Sequence, residues 1–201
     1  MRIALILAAS VTLTPAVMAQ TRSELSRIEA CEELRPSNNG PGSLLECDSH
    51  AGYRVRLLAG EHSASVAFGD NGMDYQLTHG PGVGGNYIDI GPAIEWRYRE
   101  DQDYPFANIV RWRGLNPGYE GDTPETSFPE QVVDNVLVVS SLYNEGGVSA
   151  CPVAYVDAAE IPGANEVAHA VADRYVPGFE CGVSEVMVID LASAQQLSLV
   201  D

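Results

Sequence analysis

Four cysteines, Cys31, Cys47, Cys151 and Cys181, constrain this chain most. What they mean depends on the compartment, and the N-terminus indicates one. Met1-Arg2 is a short positive start, residues 3–9 are an apolar run, and Val17-Met18-Ala19 ends in small residues. That is the pattern of a secretory signal peptide over residues 1–19, cut after Ala19. A spanning helix needs roughly 20 mainly apolar residues, and Thr12, Thr14 and Pro15 interrupt this one. The expected mature chain is residues 20–201, periplasmic or secreted, with no stable membrane insertion. In an oxidising compartment an even cysteine count reads as disulfides. No pair has the Cys-x-x-Cys spacing of zinc ligands. Of the three pairings open to four cysteines, Cys31–Cys47 and Cys151–Cys181 are favoured, because each closes a local loop within its own half.

Thr21-Arg22-Ser23-Glu24 fits a capping box. Leu25, Ile28, Cys31 and Leu34 then recur at helical spacing up to Pro36, so a first helix is expected there. Residues 37–43 read as a loop that returns the chain to Cys47. From Tyr53 the period changes to two. Tyr53, Val55 and Leu57 alternate with Arg54 and Arg56, and Ala64, Val66 and Phe68 follow a turn, which predicts a hairpin. Further strands are expected over 87–90, 93–100, 106–113, 132–143, 150–156 and 186–189, with long loops over 70–86 and 116–129. Pro162 opens a second helix, whose apolar stripe is Val167, Ala168, Val171, Ala172, Tyr175 and Val176. Glu166, His169, Asp173 and Arg174 lie on its opposite face, and Pro177-Gly178 ends it. The expected architecture is a single α+β domain, mainly an antiparallel β-sheet with two flanking helices, stapled by disulfides.

Several stretches carry a resemblance: Cys47-x4-Gly52, Ile94-Glu95-Trp96-Arg97, residues 105–112 (PFANIVRW), residues 136–139, and above all Cys151-Pro-Val-Ala-Tyr-Val-Asp-Ala158 with the following helix and Cys181. In these the chain resembles a group of small secreted proteins of α-proteobacteria that have no established activity. The resemblance spans most of residues 47–182. It implies export, disulfides and a single domain, and it implies no catalytic residue.

Composition excludes some chemistry outright. All eleven Lys+Arg residues are arginine. A chain without lysine has no P-loop lysine, no Schiff-base lysine and no Ser-x-x-Lys nucleophile. It also has no Gly-x-Ser-x-Gly elbow and no His-Glu-x-x-His. The glycine-rich run over residues 80–85 lacks dinucleotide-loop spacing and precedes a strand pattern, so a surface loop is expected. Asp101 and Asp103 read as turn residues, and Asp70, Asn71 and Asp74 supply too few oxygens for calcium. Of the four histidines, His50, His62 and His79 adjoin loops or strand starts, and His169 is expected to make a surface pair with Asp173 one turn away. No catalytic residue, cofactor or metal is expected.

Two charge features point to binding. Arg97 and Arg99 alternate with Trp96 and Tyr98, and Arg111 and Arg113 flank Trp112. If those strands pair, all four arginines share one sheet face, where guanidinium groups bind anions bidentately. The second feature is asymmetry within the net charge of −17. Residues 1–113 hold ten arginines against fourteen acidic residues, whereas residues 114–201 hold only Arg174 against fourteen. Such a field disfavours nucleic acid and favours cationic partners. The loop with Tyr119, Glu120, Asp122, Glu125 and Phe128 is the expected contact for a basic protein. The expected function is that of a non-catalytic structural or binding protein of the cell envelope. The alternatives are an envelope hydrolase with dispersed catalytic residues, or an acidic inhibitor of a cationic enzyme such as lysozyme.

Overall fold

The computed structural model describes residues 20–28, 31–35, 42–60, 64–69, 87–119, 127–142 and 150–197. Ten strands and two helices occur among them: β1 (Thr21–Arg27), β2 (Cys31–Arg35), β3 (Ser43–His50), β4 (Tyr53–Ala59), β5 (Ala64–Phe68), β6 (Tyr87–Arg99), β7 (Ala107–Tyr119), β8 (Ser127–Leu142), β9 (Ala150–Asp157), α1 (Ala164–Tyr175), β10 (Met187–Ile189) and α2 (Leu191–Gln196). The large sheet has the order β1-β6-β7-β8-β9-β10 and the small sheet β2-β3-β4-β5. Every pairing is antiparallel except β9 with β10.

The layers follow from strand alternation. One face of the large sheet carries Ile94, Trp96, Tyr98, Val110, Trp112 and Val138, which pack on Tyr53, Val55, Val66 and Phe68 of the small sheet. The other face carries Ile109, Leu137, Val139 and Val156, covered by Val167, Ala168, Val171 and Ala172 of α1 and Ala194 of α2. With both faces covered, β8 reads as a nearly continuous apolar run over residues 136–139 instead of alternating. Val167, Ala168, Val171, Ala172 and Val176 of the expected stripe are buried as their spacing predicts, and Tyr175 is partly buried.

The expected first helix is absent: its residues form β1 and β2 instead. β1 pairs with β6 from Thr21 opposite Arg99 to Arg27 opposite Ala93. The hydroxyls of a would-be capping box are used in the sheet, where Thr21 and Ser23 accept from Arg97 and Ser26 accepts from Trp96 Nε1 at 2.7 Å. Tertiary partners outweigh a local signal worth only about 1 kcal/mol. The expected loop before Cys47 ends at Ser43, where β3 begins. The two strands expected over 87–90 and 93–100 are a single strand, β6, whose register with β7 shifts between Ile90 and Ile94. β7 and β8 extend into the expected 116–129 loop, to Tyr119 and from Ser127. The second helix of the fold is the short α2, capped by Asp190, whose carboxylate accepts from the Ser193 N–H at 2.7 Å.

Both disulfides form as paired in the sequence reading, Cys31–Cys47 and Cys151–Cys181. Cys31 lies directly opposite Cys47 in the β2–β3 ladder, so the first links neighbouring strands. The second ties β9 to the segment between α1 and β10. No helix among the described residues is long and apolar enough to cross a membrane.

Candidate functional site

A cavity of about 400 Å³ lies on the helix-covered face of the large sheet. Its apolar walls are Leu25 of β1, Pro92 and Ala93 of β6, Ile109 of β7 and Leu137 of β8. Its polar lining is Glu95, Arg111, Asn165, Glu166 and His169. The irregularity in β6 shapes it. A side chain at Gly91 would stand 3.1 Å from Arg111 Cβ, so glycine lets β6 pass close beside Arg111.

The Arg111 guanidinium is positioned by two amide oxygens. Nη1 donates to Asn135 Oδ1 at 2.8 Å and Nη2 to Asn165 Oδ1 at 3.0 Å, so one partner comes from β8 and the other from the first turn of α1. Burial, with the charge of Arg113 added, lowers its pKa from the ordinary arginine value. Among the described residues no carboxylate pairs with it.

The other three expected arginines differ. Arg97, 6% exposed, donates to Ser23 Oγ and Thr21 Oγ1 at 2.7 Å, and to both carboxylate oxygens of Asp173 at 2.7 and 2.6 Å. Arg113 pairs with Asp89 on the adjacent strand. Arg99 sits 5.6 Å from the centre of the Phe106 ring. Carboxylates neutralise Arg97 and Arg113, Arg99 lies beside Phe106 outside the cavity, and of the four expected arginines Arg111 alone lines it.

The expected His169–Asp173 surface pair is replaced by two contacts with β6. His169 Nε2 lies 2.7 Å from Glu95 Oε1, off the line of the ring N–H, and Asp173 takes Arg97. Residues four apart on a helix are separated by roughly 6 Å along its axis, and residues two apart on a strand by roughly 6.6 Å. The spacings match, so His169 and Asp173 meet Glu95 and Arg97 as two rungs of opposite charge sense. Burial pushes the Glu95 carboxyl up, but His169, Ser23 and Arg97 together outweigh it and hold it below its ordinary value.

His50 lies elsewhere, against the layer between the sheets. It stacks on Trp96 with ring centres 4.8 Å apart and its Nε2 is 2.7 Å from the Tyr98 hydroxyl. Burial, then the Glu24 charge, push Tyr98 up to about 12. A second, acidic cavity of about 540 Å³ borders the Cys31–Cys47 bridge and includes Glu32, Glu46, Asp48 and Arg54. Among the described residues no group of three or more His, Cys, Asp or Glu is placed to hold a metal. Asp101 and Asp103 occupy the turn between β6 and β7. Tyr119 ends β7, whereas Glu120, Asp122 and Glu125 lie outside the described residues, as do residues 80–85, Asp70, Asn71, Asp74, His62 and His79.

Nothing in the local periodicity of the sequence joins Glu95, Asn135, Asn165 and His169 into one site. The available signal was the spacing match itself, acid then base at i and i+2 on a strand, base then acid at i and i+4 on a helix. Comparison with protein-family models, curated proteins and solved structures finds no match.

Proposed function

We propose that this chain is an exported binding protein of the cell envelope that holds a small anionic ligand at Arg111. One observation carries the reading: a partly buried guanidinium lines a cavity, is oriented by two neutral amides, and has no carboxylate partner among the described residues. An arginine that only stabilised the fold would be expected to bury against an acid, as Arg97 does with Asp173. The secretory N-terminus and the two disulfides support the envelope setting. The test is calorimetric titration of the oxidised protein with small carboxylates and inorganic phosphate. Wild type should bind at least one of these anions, and Arg111→Gln should abolish that binding while retaining the wild-type unfolding temperature within a few degrees. Silence of the wild type toward every anion refutes the reading.

A second reading, hydrolysis, is favoured by the Glu95–His169 pair on the same wall. A carboxylate beside an imidazole is general-base equipment, and water would have to be the nucleophile, because no Ser, Thr or Cys is among the described lining residues. Ester or amide cleavage that disappears in His169→Gln would establish it.

A further inference from the structure

We infer that the ligand of this cavity is a monoanion with an apolar body, of which a short-chain or medium-chain monocarboxylate is the simplest example. The inference rests on the reading of Arg111 as the anion anchor and adds two requirements that Arg111 alone does not impose.

The first requirement is a single negative charge. A guanidinium offers five N–H groups, and Arg111 spends one on Asn135 and one on Asn165. Three remain, and a carboxylate needs two for a bidentate pair. Glu95 and Glu166 line the same cavity. His169 and Arg97 offset Glu95, but no second arginine among the described residues lines the cavity to meet a second ligand charge. A dianion such as an alkyl phosphate would bring its extra charge toward two carboxylates in a partly desolvated space, where repulsion is screened weakly.

The second requirement is apolar substance next to the charge. The cavity floor is Ile109 and Leu137, both nearly fully buried in the helix-side core. Its rim is Pro92, which has no N–H to offer, and Leu25, which is 70% exposed on the edge strand β1. A bare anion such as acetate would leave Leu25 in water, whereas a chain lying from Arg111 toward β1 would cover it. The volume of about 400 Å³ falls in the range of small-molecule sites.

The experiment is a calorimetric series on the exported, oxidised protein at pH 8, where an alkyl phosphate is a dianion. The probes are acetate, butanoate, hexanoate, octanoate and hexyl phosphate. Affinity should rise with chain length, by up to about fourfold per methylene until the cavity is filled. Hexyl phosphate should bind at least tenfold more weakly than hexanoate. Leu25→Ser, at an exposed position, should flatten the dependence on chain length. Equal binding of acetate and octanoate, or binding of hexyl phosphate as tight as hexanoate, overturns the inference. If such binding is still lost in Arg111→Gln, the anchor reading stands and only the ligand class fails. If no probe binds wild type, the ligand class fails, and the anchor reading fails with it when inorganic phosphate is silent too.

Discussion

The Arg97–Asp173 pair permits the sharpest quantitative test of the fold. In Asp173→Ala the Arg97 side chain, 7% exposed, keeps its bonds to Thr21 and Ser23 but loses the one carboxylate among the described residues that it hydrogen-bonds. Its Nε is buried without a hydrogen-bond partner among the described residues, so the guanidinium has little solvation in reserve. Removing one partner of a buried ion pair costs about 3–5 kcal/mol. Asp173 is itself 34% exposed, and water entering the vacated space would recover part of that, which leaves about 2–3 kcal/mol. For a chain of this size the loss should lower the unfolding temperature by about 5–10 °C. Arg97→Met with Asp173→Ala removes the orphaned charge together with its partner, so the double variant should be more stable than Asp173→Ala alone. The assay is urea and thermal unfolding of oxidised protein, followed by far-ultraviolet circular dichroism and tryptophan fluorescence to check two-state behaviour. A shift below 2 °C for Asp173→Ala, or simple additivity in the double variant, would show that Arg97 is not a buried charge dependent on Asp173.

The disulfides and His50 give two more tests. Non-reducing peptide mapping should recover Cys31 joined to Cys47 and Cys151 joined to Cys181, and replacing either pair by serine should cost about 3–4 kcal/mol in urea unfolding, since the bridges close segments separated by 16 and 30 residues; a loss under 1 kcal/mol would contradict the crosslink estimate. Burial lowers the His50 pKa below 6.5, with Glu24 opposing, so the fold favours the neutral ring. The stability this contributes is present above about pH 6.5 and is lost as pH falls through the lower folded value. His50→Gln should flatten the pH dependence of the urea midpoint below pH 7, and an unchanged slope would contradict the assignment.

Local periodicity alone determined much of this protein. Alternation in residues 53–68 gave the β4–β5 hairpin, alternation of Trp96 and Tyr98 with Arg97 and Arg99 gave the two faces of β6, and the Val167 stripe gave α1. Such patterns survive in sequence because they record which side of an element is buried, and burial acts on every residue along it. The two disulfide partners were also legible, as loop closure depends on chain separation. Only the tertiary structure decided β1 and β2. Arg22, Glu24 and Leu25 of β1 are all exposed or partly exposed, so no period-two pattern marks it, and its partner β6 is more than sixty residues away. The same holds for the site. Arg97, Arg99, Arg111 and Arg113 look alike in sequence, but distant chain segments neutralise two of them: Asp173 reaches Arg97 across 76 residues, and Asp89 reaches Arg113 across 24. Arg111 instead meets the neutral Asn135 and Asn165. Which of these cations lines a cavity without a carboxylate partner among the described residues is set by β-strand register and by the packing of α1 on the large sheet.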